Sequence, residues 1–113
     1  MNNATITFEG ITRGSELFGA TQANFSVERP GLHAKETSIL LNAPAAASLA
    51  TATSSPDDDA FRDHAARIAG EVWLEDLLAN SLHIDSIYFL TKAAIEARPA
   101  ILERLRALIP TPM

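Results

Sequence analysis

The stretch that decides the fold reads Asp57-Asp58-Asp59-Ala60-Phe61-Arg62-Asp63-His64-Ala65-Ala66-Arg67-Ile68-Ala69-Gly70-Glu71-Val72-Trp73-Leu74-Glu75-Asp76-Leu77-Leu78-Ala79-Asn80, and its helical periodicity continues to Ile109. It opens behind Ser54-Ser55-Pro56. Ser or Asp side chains there can accept from the free N–H groups of a first helical turn, and acidic charge faces the positive end of the helix dipole. Phe61, Ala65, Ile68, Val72 and Ala79 form one stripe, widened by Ala69 and Trp73, while Asp63, Arg67 and Glu71 lie off it. Leu74 and Leu78 break this pattern: at roughly 100° per residue they fall beside Arg67 in the polar arc. Either this half of the helix is buried on two sides, or Gly70 bends it and resets its phase.

Working outward to the C-terminus, Asn80 to His83 reads as a stop and a loop, with Asn suited to a left-handed conformation past the helix end. Ser81 or Asp85 can cap the next helix. That second helix is expected over Ile84 to Ala97, with Ile84, Ile87, Tyr88, Thr91 and Ile95 on one face and Phe89 opposite. Arg98-Pro99 breaks it, because Pro drives its predecessor out of the α region. A third helix from Pro99 to Ile109 gathers Ile101, Leu102, Leu105, Leu108 and Ile109, and Pro110 and Pro112 close the chain. The short connections predict antiparallel helical neighbours.

Working back to the N-terminus, the period changes from 3.6 to 2. Ile6 and Phe8 alternate with polar residues over Thr5 to Glu9, and Ala23, Phe25 and Val27 do so over Gln22 to Glu28. Ile11 to Phe18 is read as strand, turn at Arg13-Gly14-Ser15, and strand. Arg29-Pro30-Gly31-Leu32 has Pro and Gly where a type II turn needs them. A returning strand lies around Thr37 to Leu41. Between meander and helices, Asn42 to Pro56 is an uncharged connector rich in Ala, Ser and Thr; Ala45 to Ala52 fits a short helix after Pro44 and fits a linker equally. The expected fold is therefore α+β: an antiparallel β meander over about 4–41, then a three-helix segment over about 57–109 packed on one of its faces, as a single domain over 1–113.

Composition narrows the function. At 113 residues, 47% hydrophobic and 20% charged, the chain is suited to one core. Its net charge is −5, with three basic against four acidic residues in 1–56 and six against ten in 57–113. Scattered cations make nucleic acid and anionic membranes poor partners, since phosphate binding needs clustered Lys and Arg. No cysteine is present, which removes disulfides, thiolate catalysis and Cys-ligated zinc. No apolar run approaches the ~18 residues of a membrane span, and the first residues carry no signal-peptide pattern, so the expectation is a cytoplasmic protein. The Ala-rich, cysteine-free composition suggests a bacterial or phage-like origin.

No chemical motif survives. His33, His64 and His83 share no i, i+4 spacing of a helical zinc site. The Asp57-Asp58-Asp59 run lacks the Gly and Glu of a calcium loop in register. Gly10, Gly14 and Gly19 fit neither a dinucleotide fingerprint nor a phosphate loop. Glu71 and Glu75, one turn apart with Asp76 further round, are a conceivable carboxylate pair, but a solvated charged face is the simpler reading. No catalytic residue, cofactor or metal ligand is assigned, which points away from an enzyme. An apolar surplus remains. Phe89, Leu74 and Leu78 are candidates for binding a protein partner or a second copy, with Phe89 as the aromatic anchor; cover by the meander, which would make them core, is the competing reading. The expected function is thus a non-enzymatic protein-interaction or adaptor role, with a homodimer as one form. The alternative is a small-molecule binder or enzyme with a pocket between meander and helices, edged by His83, Asp85 or Tyr88.

Overall fold

The computed structural model describes residues 4–12, 19–80 and 83–108. The turn at Arg13-Gly14-Ser15, the pair Leu17-Phe18, Ser81 as a cap and the closing prolines lie outside these residues. The architecture is α+β, a four-stranded sheet with helices on one face.

The meander forms where period-two alternation predicts it. Strands β1 (Thr5–Thr12), β2 (Thr21–Glu28) and β3 (Lys35–Leu41) pair antiparallel in sequence order. Between β2 and β3, the Leu32 N–H donates to the Arg29 carbonyl at 3.1 Å and Gly31 has φ +78°, the positive value that the third position of a type II turn requires. The register puts Ile6, Phe8, Phe25, Val27, Ile39 and Leu41 on one face. Phe8 and Phe25 meet edge to face, with ring centroids 5.6 Å apart.

The Ala/Ser/Thr connector is helix rather than linker. Helix α1 (Ala43–Ala52) is capped by Asn42, whose side chain accepts from the Ala45 N–H at 2.8 Å, and Pro44 sits in its first turn. Helix α2 (Asp59–Ala79) is capped by Asp58, which accepts from the Phe61 N–H at 2.8 Å. Its end differs from expectation: Asn80 has φ −97°, not a left-handed value, and closes the helix by donating its side-chain N–H to the Asp76 carbonyl at 2.8 Å.

The largest correction falls on residues 84–97. They do not form one helix. Ile87–Leu90 is a fourth strand, β4, parallel to β3 with Ile39 opposite Tyr88 and Leu41 opposite Leu90. Only Lys92–Glu96 is helical there (α3), started by Thr91, whose hydroxyl accepts from the Ala94 N–H. The β-branched and aromatic run Ile-Tyr-Phe-Leu suits a pleated strand better than a helix, where such side chains lose χ1 freedom. Helix α4 (Pro99–Leu108) follows the predicted break. α1 and α2 thus form the crossover that returns the chain to a parallel partner, and α2 and α4 pack on each other without the antiparallel hairpin that unbroken helices would have made.

Gly70 explains how α2 sits on the sheet. A Cβ there would lie 2.6 Å from Phe25 Cε2 and 3.2 Å from Ile39 Cγ1, so only glycine lets the helix backbone come this close. Gly70 lies about half a turn around the helix from Phe61 at roughly 100° per residue, yet both are buried. Of the two readings of the broken stripe, burial on two sides is the one realised: Leu74 is 0% and Leu78 6% exposed, within a core shared with Ile101 and Leu105 of α4. The candidate partner surface thereby loses two of its three residues, because Leu74 and Leu78 are covered by their own chain.

Candidate functional site

Phe89 stands apart from the two leucines. β4 is an edge strand, and its side chains alternate: Tyr88 and Leu90 turn toward the helices, Ile87 and Phe89 toward the opposite sheet face. Ile87 is 48% and Phe89 66% exposed. In register they flank Ser38 and Leu40, and the face continues as a polar row in which Gln22 Nε2 donates to Asn24 Oδ1 at 2.8 Å and Ser38 Oγ donates to the same oxygen at 3.0 Å.

The backbone of β4 is half used. The Ser86 and Leu90 carbonyls accept from the Ser38 and Asn42 N–H groups at 2.9 and 3.1 Å. Alternate residues of a strand point their N–H and C=O groups to opposite sides, so those of Ile87 and Phe89 point out of the sheet. No strand pairs with this edge among the described residues. From Ser86 to Thr91 the sequence carries no charge, no Pro and no Gly.

His83, Asp85 and Tyr88 are brought together, but as a closed loop rather than a pocket. The Tyr88 hydroxyl accepts from the Asp85 N–H at 2.8 Å and donates to the His83 carbonyl at 3.4 Å, while His83 Nε2 and Asp85 Oδ1 lie 3.5 Å apart at the surface. The Tyr88 ring stacks edge on against Trp73, 5.9 Å between centroids, and Trp73 in turn carries the Arg98 guanidinium 4.2 Å from its ring centre. Arg98 pairs with Asp76. This chain of contacts ties β4 and α2 to Arg98, the residue that leads into α4, and Tyr88 is occupied with holding it.

The acidic residues considered for paired-carboxylate chemistry are bound to cations. Glu71 meets Arg67 at 3.1 Å, and Glu75 takes both Arg104 guanidinium nitrogens at 2.7 and 3.0 Å, a bidentate pairing that raises the Arg104 pKa above its ordinary value. Arg62 holds the Asp57 carboxyl below its usual range through a hydrogen bond at 2.8 Å. Among the described residues no three His, Asp or Glu side chains gather where a metal ion could be held, and no helix is long and apolar enough to cross a membrane.

A second feature escapes sequence reasoning. Under the β2–β3 turn lies a cavity of about 170 Å³. Its lining combines apolar Val27, Leu32 and Ile84 with nitrogen-bearing Arg29, His33, Lys35 and His83. Of the three residues expected to edge a pocket, His83 alone lines it. Arg29 and Leu32 read from sequence only as turn chemistry; the available signal is the spacing Arg29, His33, Lys35, which places two of the three cations of residues 1–56 within seven positions.

Comparison with protein-family models, curated proteins and solved structures finds no match to this chain.

Proposed function

We propose that the chain is a cytoplasmic, non-enzymatic protein-interaction module whose working surface is the β4 edge, and that the partner this edge fits is a second copy of itself. The observation that carries this reading is the coincidence, on one uncharged strand, of two exposed apolar side chains and two residues' worth of outward backbone groups. Edge strands of this kind pair readily with other strands unless charge, Pro or a bulge prevents it.

A second copy fits because the edge is self-complementary. If two β4 strands run antiparallel about a two-fold axis through Tyr88, Ile87 of each copy opposes Phe89 of the other. All four residues then present their free N–H and C=O groups to one another. The Ile–Phe pairs fall on the same face, and aromatic–β-branched pairs of this type stabilise by roughly 0.2–1 kcal/mol each. No like charges are brought together along the strand. Four residues per copy bury little compared with the ~1,600 Å² of a standard interface, so a weak dimer is expected.

Sedimentation velocity of the wild type and Phe89→Asp, from micromolar concentrations to about 1 mM, tests it. The wild type should shift toward the dimer with concentration, while the variant stays monomeric with unchanged circular dichroism. Two folded monomers across the whole range would refute self-association through β4.

A further inference from the structure

We propose that the cavity under the β2–β3 turn is a binding site for a small organic monoanion, a carboxylate carried on an apolar body about the size of one aromatic ring. The site is independent of the β4 edge, which lies outside the cavity's lining.

Size sets the body of the ligand. The cavity measures about 170 Å³, and apolar cavities of roughly 150 Å³ accept benzene. Val27 and Ile84 are almost fully buried and form fixed walls, whereas Leu32 is 65% exposed on the turn itself. An exposed leucine at the mouth of a cavity is the group that a bound apolar ring would cover, so its burial becomes available on binding.

Charge sets the ligand's polar end. The chain as a whole is acidic, yet Arg29 and Lys35 both line this one cavity and no carboxylate does. Lys35 lies opposite Val27 in the β2–β3 register, so its side chain and the apolar floor belong to the same sheet face. His33 and His83 add imidazole rings, each with at least one N–H to donate. The Asp85 carboxylate touches His83 at 3.5 Å without lining the cavity. A lining that combines cationic and apolar side chains selects a ligand with an anionic head and an apolar body, and disfavours a cation or a neutral polar molecule.

Amide-resolved NMR titration with benzoate, benzyl alcohol and acetate tests the site. Benzoate should shift the amides of residues 29–35 and 83–85 saturably, and bind at least about tenfold more tightly than either benzyl alcohol, which lacks the charge, or acetate, which lacks the ring. Lys35→Gln should weaken benzoate about tenfold while leaving benzyl alcohol unchanged, and Phe89→Asp should leave benzoate binding intact. Equal binding of benzyl alcohol and benzoate, equal binding of acetate and benzoate, an unaffected Lys35→Gln variant, or no saturable shift of these amides would each overturn the proposal. Lys35 is exposed, so its replacement leaves the fold standing.

Discussion

The two edges of the sheet are built on opposite principles. At β1 the ladder slips between Phe8 and Gly10, where Glu9 is the extra residue, so the outer strand is bent and carries a carboxylate. β4, at the other edge, has neither bulge nor charge, and presents Ile87 and Phe89 to solvent. Bulges and edge charges are the ordinary means by which sheets avoid adding further strands. One edge of this sheet uses both and the other uses neither, which makes β4 the side on which the sheet can be extended.

The strongest test of this contrast separates the two faces of β4. Leu90 is fully buried against the helices, so Leu90→Ala should cost about 2–5 kcal/mol through lost burial and the cavity left behind. Phe89→Ala, one residue away, should change monomer stability by no more than about 0.5 kcal/mol, as surface substitutions do. Urea denaturation at dilute concentration measures both. A Phe89→Ala variant as destabilised as Leu90→Ala would show that Phe89 supports the fold, and the open edge would lose its meaning.

A smaller effect tests β1. Deleting Glu9 lets the pairs Phe8–Phe25 and Gly10–Asn24 run on in one register, and every side chain of β1 keeps its face. In a Phe89→Lys background, where β4 is blocked by charge, this deletion should restore concentration-dependent association through β1, seen by sedimentation. If the double variant stays monomeric and folded, the bulge is not what closes that edge.

The meander and the long helix are legible in the sequence, for local reasons. Alternation over Gln22 to Glu28, the Pro30-Gly31 turn and the acidic start of α2 each act within a few residues. β4 is illegible because its partner lies forty-nine positions upstream, Ser38 against Ile87, and its four residues satisfy a helical spacing as well as a strand's. Phe89 facing away from the supposed helical stripe is the trace of the true period. Leu74 and Leu78 are likewise a correct signal of burial on two sides, but periodicity cannot name what covers them. The cavity depends on the β2–β3 turn meeting the loop before β4, a contact between segments about fifty residues apart that no spacing encodes.

The subtlest difference between the edges depends on pH. Glu9 is held above its ordinary pKa of 4.5, first by a hydrogen bond with Glu36, then by partial loss of hydration and by the repulsion of the second carboxylate. The protonated form of Glu9 is thus the one the fold favours. Its contribution is fully present below the ordinary value and is lost as pH rises through the raised one. Glu36→Gln removes the repulsion and returns Glu9 toward normal titration, so the stability of the wild type relative to the variant should fall as pH rises from about 4 to 7. Urea midpoints at several pH values in that range measure it, and parallel profiles for the two proteins would show that the pair is not coupled. The β1 edge thus carries a titrating carboxylate, Glu9, whereas Ser86 to Thr91 at the β4 edge hold none.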